Sequence, residues 1–523
     1  MGAALTDWLV RIAGWRRLLV AVAGGAVAAL ALPPIHVLPA LPVAFSLLLL
    51  LLGTTTRRRS AFAIGFGFGF GYYALSIYWI GFALLVDAAQ FAWLLPFAVF
   101  GIAGVLALFV AAGILPAWAV LRRGGGPVAG ALMLAAGWAL AEWVRGFAFT
   151  GFPWNPLATI WGFHPAMLQP AALVGTFGMA VPTVFLACLP AIWITSTGRP
   201  RLTAMTGGLV ILAAWTGFGA WRLADNPTVY AEDVGLRLVQ ANIDQRDKWR
   251  RDLRVPNLTR LLALSADERP DWVTHVIWPE TAATFFLSEN PEVVRAIASV
   301  APAGGAVLTG APRLGEKSAD GEAAYHNSLV AITKDGAIAA SYDKTHLVPF
   351  GEYVPLRDWL PVERIVAGRG DFTPGAGLRT LRVPGLPPFS PLICYEAIFP
   401  GAAVDGADRP DWILNISNDA WFGVSAGPHQ HLAAARLRAV EEGLPLVRAT
   451  NPGISALFDP VGRELQRLDL DRRGVLDLRL PKPGASPTFF AWCGNVVSVV
   501  LAAMAGLLAT LAANGWRRGE RTA

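Results

Sequence analysis

The run Asp343-Lys344-Thr345-His346-Leu347-Val348-Pro349-Phe350-Gly351-Glu352 sets an ammonium near one end of ten residues and a carboxylate at the other. Upstream, Trp278-Pro279-Glu280 closes an apolar run, and downstream Cys394-Tyr395-Glu396 closes another. Carboxylate, ammonium and thiol therefore follow one another within a single polar stretch, 222–488, bounded on both sides by hydrophobic arrays. A free thiol with a pKa of about 8.5 is mostly protonated at neutral pH and needs a base or a positive neighbour to act as a nucleophile. Glu280 is the candidate base, Lys344 the candidate cation and Cys394 the candidate nucleophile. As a thiolate adds to an ester carbonyl, charge collects on oxygen, where a fixed ammonium or backbone N–H stabilises it. Singly, these side chains read as an ordinary acid, an ordinary base and a buried thiol. Together, with Lys344 inside so unusual a run, they read as one site.

The polar stretch alternates between two periodicities. Strand-like runs are expected at Leu236–Ile243, Trp272–Trp278, Ala306–Thr309, Asn327–Thr333, Ser390–Cys394, Trp412–Ile416 and Ile454–Phe458, with helices at Val255–Ala266, Pro291–Val300 and His429–Glu442. Such alternation predicts an α/β layered domain with functional residues at strand ends. Glu280 and Cys394 both follow such runs, which puts them at one edge of a sheet, and Pro279 biases the residue before it toward an extended backbone.

The flanks set the surroundings. Of 523 residues, 54% are hydrophobic and only 15% charged, which does not describe one soluble globule. Acids outside the polar stretch are limited to Asp7, Asp87, Glu142 and Glu520, leaving 33 inside against 29 basic residues. The surplus positive charge belongs to short arginine clusters at span ends, with no basic face interleaved with aromatics, so nucleic acid is not an expected partner. Eight spans are expected, near 14–32, 38–53, 61–85, 91–121, 128–144, 171–195, 203–221 and 489–513. That divides the chain into a seven-helix membrane domain (1–221), an inserted catalytic domain (222–488) and an eighth helix with its tail (489–523). Arginine clusters favour the cytoplasmic side. With the N-terminus inside, Arg11, Arg16, Arg17, Arg57–Arg59, Arg122, Arg123, Arg199, Arg201, Arg517, Arg518 and Arg521 all obey and Arg145 dissents. Both termini are then cytoplasmic and the polar domain extracytoplasmic. Cys188, Cys394 and Cys493 offer no paired spacings, so a disulfide framework is not expected.

The three motifs resemble the Glu-Lys-Cys motifs of the nitrilase, or carbon–nitrogen hydrolase, superfamily. With spans before and after, Phe149-Thr150-Gly151-Phe152-Pro153-Trp154 in an expected outer loop and Gln240-Ala241-Asn242 leading to Trp249, nearly the whole chain resembles the bacterial apolipoprotein N-acyltransferase family. The resemblance implies an α-β-β-α sandwich inserted between transmembrane helices of an inner-membrane protein. It also implies Glu280 as proton acceptor, Lys344 as oxyanion-stabilising cation and Cys394 as nucleophile, with Trp249, Glu352, Tyr395 and Glu396 in support. Glu352 is expected to orient the lysine, and Tyr395 and Glu396 to place substrate. The implied reaction is ping-pong: an acyl chain passes from a membrane phospholipid, phosphatidylethanolamine by this resemblance, to Cys394 and then to the α-amine of a diacylglyceryl-cysteine apolipoprotein. No cofactor is implied.

Other signals are weaker. His429 and His431 stand two apart, face different sides of a helix and have no ligand-spaced partner, so no metal site is expected. Trp154 reads as an interfacial anchor before it reads as a lipid contact, Glu142 and Arg145 as an i, i+3 pair at the outer interface, and Asn327 as structural. Trp421-Phe422-Gly423 reads equally as a lip over the site or as core packing. Two rival functions use the same residues differently: a membrane-tethered amidase that resolves the thioester with water, and a receptor or transporter whose outer domain has lost catalysis. Eight spans exceed what tethering needs, and the near absence of intramembrane ionisable residues disfavours transport.

Overall fold

The described residues form eleven strands, most of them with alternating or continuous buried side chains: β1 (Tyr230–Gln240), β2 (His275–Ile277), β3 (Ala306–Lys317), β4 (Ala323–Thr333), β5 (Ile338–Asp343), β6 (Phe389–Ile393), β7 (Trp412–Ser417), β8 (Leu446–Thr450), β9 (Ser455–Phe458), β10 (Glu464–Leu468) and β11 (Gly474–Pro481). The computed structural model describes residues 2–317, 323–355 and 371–522, and the side chains of Arg517, Arg518 and Arg521 lie outside the described residues. The strands make two sheets, ordered β11-β1-β2-β3-β4-β5 and β10-β9-β8-β7-β6. In the first, β1, β2 and β3 run parallel, while β11, β4 and β5 join antiparallel. In the second, β6, β7 and β8 are parallel and β9 and β10 antiparallel.

The sheets face each other across one core. Leu236, Leu238, Leu308 and Leu329 of the first meet Phe389, Trp412, Leu414 and Val447 of the second, all essentially without solvent exposure. Full burial of each such side chain contributes about 1.5–3 kcal/mol, and truncating Leu308 to alanine is expected to cost about 2–5 kcal/mol. The outer face of the first sheet is covered by helices Arg254–Ala266 and Pro291–Ser299 through Leu258, Leu261, Val293 and Ile297. Helix Ala426–Glu442 covers the second through Leu432, Ala435 and Ala439. The result is the α-β-β-α sandwich. Helix Ala426–Glu442 begins three residues before the expected His429 because the Ser425 side chain accepts from Gly427 N and caps it. It stops at Gly443, whose φ of 67° ends the helix with no side-chain penalty.

Contacts divide the chain into two compact units, one of Met1–Gly81, Trp93–Asp225 and Thr488–Ala523, the other of Phe82–Ala92 and Asn226–Pro487. The first unit is a membrane bundle. Helices stand at all eight expected places, but among the described residues length and apolar composition suffice for crossing in four, Ala88–Arg122, Gly126–Arg145, Gly198–Asp225 and Val496–Trp516, or five if Ala171–Gly178 and Ala180–Thr195, bent by 70°, form one span. Helices Trp15–Ala29 and Ala40–Gly53 have only 15 and 14 residues, so they cover roughly 21–23 Å of a hydrocarbon core of about 30 Å. The last expected span breaks at Gly494 (φ 57°), between helices Phe489–Cys493 and Val496–Thr522. Helices Trp15–Ala29 and Arg58–Ser76 touch backbone to backbone, because a Cβ on Gly25 would fall 1.8 Å from the Phe68 carbonyl oxygen.

Two sequence expectations in this unit change. Glu142 and Arg145, expected as a pair at the outer interface, are both buried. The Glu142 carboxylate accepts from Trp138 Nε1 at 3.1 Å and Leu157 N at 2.9 Å, and the Arg145 guanidinium donates to the Phe152 and Trp154 carbonyls. They brace the Phe152–Leu157 loop from one helix. Trp154 is likewise no exposed anchor, with 3% exposure and its ring centroid 4.4 Å from that of Trp79.

Candidate active site

Three strand ends deliver the principal side chains. Glu280 follows β2 by three residues, with Trp278 N bonded to Leu308 O at 2.8 Å and Gly310 N to Pro279 O at 3.2 Å, so the β2 to β3 pairing continues to the threshold of the glutamate. Lys344 is the residue after β5, its N–H held by Asn327 O at 2.8 Å. Cys394 is the residue after β6 and opens the turn Cys394–Ile398 with a φ of 54°, left-handed backbone that non-glycine residues rarely adopt.

The side chains converge in a buried, charged cluster. Lys344 Nζ lies 2.9 Å from Glu352 Oε2 and 3.6 Å from Glu280 Oε1. Asn327 Nδ2 donates to both acids, at 2.7 Å to Glu280 Oε1 and 2.9 Å to Glu352 Oε1. Asn418 N gives Glu280 Oε2 a further bond at 2.9 Å, and Val348 N gives Glu352 Oε2 one at 2.8 Å. Burial alone lowers the affinity of Lys344 for its proton, yet Glu352 and Glu280 overcome it and raise the lysine pKa above its ordinary value, so the ammonium stays charged. The Cys394 thiol is pushed up, first by burial and then by Glu280, with Lys344 opposing. A resting thiol beside a carboxylate and a fixed cation is the outcome.

Behind the thiol sits a second cluster. Asp419 accepts from Arg448 Nη2 at 2.7 Å and from Ser417 Oγ at 2.7 Å, with His431 Nδ1 at 3.0 Å. His431 Nε2 reaches the Cys394 carbonyl at 3.0 Å, so the chain of contacts ends on the backbone of the positive-φ residue. Burial would raise the Asp419 pKa, but Arg448 and His431 hold it below the usual carboxylate range. Cys394, Asp419 and His431 offer ligand atoms within 4.8 Å of one another. A guanidinium already paired with that carboxylate makes a metal cation there electrostatically unfavourable.

The supporting residues fall into different roles. Glu396 turns inward: its carboxylate accepts from Ile393 N, Tyr342 Oη, Thr345 N, Thr345 Oγ1 and His346 N at 2.7–3.1 Å, clipping the Cys394 turn to the Lys344 loop. Tyr395 is buried with its ring 5.1 Å from Phe399 and 5.7 Å from His346. Trp249 is a half-buried C-cap of the short helix Gln245–Lys248. From that helix it is the neighbouring Lys248 that reaches the site, donating to the Glu280 carbonyl at 3.0 Å. Burial draws the Lys248 pKa down to about 8, against the pull of Glu280 and Cys394. Trp154 belongs to the membrane unit. Near the second cluster, Phe422 packs edge-on to His431 at 5.7 Å, and the Gly423 backbone lies so close to Phe82 that a Cβ would meet the ring at 2.4 Å.

Lys248, Asp419, His431 and Arg448 do not stand out in the sequence as site residues, and Asn327, which reads there as structural, bridges both glutamates through its amide. The Lys248 signal was present: a lysine next to Trp249 in a segment otherwise read for its aromatic. Arg448 interrupts an apolar strand, which is itself a mark of a buried partner.

Two family models match: apolipoprotein N-acyltransferase N-terminal domain over residues 24–189 and carbon-nitrogen hydrolase over residues 236–485. Among curated relatives, the apolipoprotein N-acyltransferase of Rhodopseudomonas palustris is 40% identical over 95% of both chains, and that of Bradyrhizobium diazoefficiens 41% identical over 95% of both. The Brucella suis protein of the same name is 39% identical, covering 97% of this chain and 98% of its own. Among solved structures, a cysteine-to-serine mutant of the Nesterenkonia AN1 amidase from the nitrilase superfamily is 19% identical with a TM-score of 0.35, over 48% of this chain and 92% of that one. This chain belongs to the apolipoprotein N-acyltransferase family.

Proposed function

We propose that this protein moves a fatty acyl chain from a membrane phospholipid to the α-amine of an S-diacylglyceryl-cysteine apolipoprotein through a thioester on Cys394, with phosphatidylethanolamine as donor. The observation that carries the reading is the Lys344 ammonium held between Glu280 and Glu352 within electrostatic reach of Cys394. Glu280 takes the thiol proton as sulfur attacks the ester carbonyl, and Lys344 stabilises the oxyanion that forms. Collapse breaks the ester C–O bond, and the proton on Glu280 passes to the departing lysophospholipid oxygen. The amine then attacks the thioester and gives its proton to Glu280. The C–S bond breaks, the proton on Glu280 passes to the departing sulfur, and the amide product, the Cys394 thiol and the Glu280 carboxylate are left. Glu352 and Asn327 orient the lysine and glutamate, and Glu396 joins the two loops that carry lysine and cysteine.

The same chemistry supports a catalytic domain held at a membrane surface. Both substrates keep their acyl chains in the bilayer, and drawing a chain into water costs roughly 0.8 kcal/mol per CH₂. A catalytic domain on the outer membrane surface with both termini cytoplasmic, framed by eight spans, avoids that cost, and the arginine distribution supports this orientation. The test is purified protein with phosphatidylethanolamine and a diacylated lipopeptide. Appearance of triacylated peptide and lysophospholipid is expected. Release of free fatty acid with the peptide amine unmodified would show a hydrolase instead.

A further inference from the structure

Lys248 is 3% exposed, and no ion pair with a carboxylate is found for it among the described residues. An ammonium buried in this way needs polar partners. It finds them at the Glu280 carbonyl, 3.0 Å from Nζ, and at the Asn418 side chain, which with its amide oxygen turned inward accepts at 3.2 Å. Asn418 in turn holds Glu280 Oε2 through its own N–H. The lysine therefore touches both the backbone of Glu280 and the residue that fixes its carboxylate.

That backbone is strained. Thr281 has a φ of 45°, unusual for a β-branched residue. On the other side the peptide rests against Gly310, where a Cβ would fall 2.3 Å from Thr281 N and 2.6 Å from Glu280 Cα. A small cavity lined in part by Lys248, Pro279, Ala282 and Thr284 lies beside this segment. Strain of this kind persists only where surrounding contacts over-determine it.

We infer that Lys248 is a positioning residue: its ammonium anchors the strained Glu280–Thr281 peptide and so aims the Glu280 carboxylate at Cys394. The inference rests on the catalytic roles proposed above for Glu280 and Cys394. Nothing in it needs Lys248 to touch substrate.

The test uses full-length protein in detergent with phosphatidylethanolamine, reading acyl adduct formation by mass spectrometry. Lys248→Met is expected to slow adduct formation by about 30-fold or more at saturating lipid while the lipid KM moves less than about threefold, because misaimed groups lose rate rather than affinity. Thr281→Gly, added to Lys248→Met, removes the strain and is expected to restore at least about fivefold of the loss. A purely structural role for the lysine predicts recovery of melting temperature without that recovery of rate. An adduct rate in Lys248→Met within about threefold of the parent overturns the inference, as does a folded double variant that stays as slow as the single one. The double variant also decides the matter if the single one fails to fold. An adduct persisting in Cys394→Ala defeats the catalytic assignment instead, which separates the two failures.

Discussion

Lys344 stands closer to Glu352 than to Glu280, at 2.9 against 3.6 Å. In the proposed mechanism the nearer acid serves as the fixed counter-ion, leaving the farther one to take the proton of the thiol. Glu352→Gln is expected to destabilise the protein by about 3 kcal/mol, since it breaks a buried pair from one side, and to slow acyl-enzyme formation by at least about tenfold. Thermal unfolding and adduct kinetics check both. Because the folded pKa of Lys344 is raised, the stability it brings is complete below the unfolded value of about 10.4 and fades only as pH rises through the folded one. Activity lost near neutral pH therefore belongs to another group.

Gly310→Ala places a methyl into the backbone of Glu280 and Thr281 at 2.3–2.6 Å. Neither contact is the flexible end of a side chain, so the peptide carrying the glutamate must shift. The variant is expected to fold with a loss of about 1–3 kcal/mol and to form adduct at least about tenfold more slowly. Comparing melting temperature with single-turnover rate tests it.

Asp419 and Arg448 form an ion pair without solvent exposure, 2.7 Å apart, and Asp419 also faces the histidine that meets the Cys394 carbonyl. Asp419→Asn leaves a buried guanidinium uncompensated, a loss of about 3–5 kcal/mol. The depressed Asp419 pKa means its stabilisation is present above the unfolded value of about 3.9 and disappears as pH falls through the still lower folded value. Denaturant midpoints of parent and variant measure the difference directly.

His275 is buried neutral, with Nε2 2.9 Å from the Pro384 carbonyl, and burial brings its pKa down to about 4 against that hydrogen bond. The unfolded chain binds this proton first, so the stability is present above about pH 6.5 and is lost as pH falls toward 4, by about 3 kcal/mol. His275→Gln is expected to flatten the corresponding part of the pH dependence of unfolding. An unchanged slope would count against a neutral buried ring.

Much of this organisation is legible in the chain itself, and the exceptions share causes. Leu236–Ile243 and Trp412–Ile416 read as strands because their buried faces are apolar, whereas β8 hides a fully buried Arg448 inside its run. Strands β5 and β10 are edges with mostly exposed or half-buried side chains, so little hydrophobic signal marks them. Strand β11 carries Leu476, Leu478 and Leu480 in alternation, a pattern open to reading. The motifs mark Glu280, Lys344 and Cys394, the family resemblance adds Glu352, and the fold joins the two glutamates and the lysine in one hydrogen-bonded cluster. Lys248 and Asn327 reach Glu280 across 32 and 47 residues of sequence. Glu142 and Arg145 brace a loop whose fold no helix-face rule reveals. Contacts of that kind depend on how loops close in space, and local sequence does not encode them.

The most direct test of the proposed thioester is mass spectrometry of protein incubated with phosphatidylethanolamine and no acceptor. The account predicts one acyl chain on the peptide containing Cys394, discharged on adding diacylated lipopeptide and absent in Cys394→Ala. An acyl chain on any other residue, or triacylated product from Cys394→Ala, would contradict it.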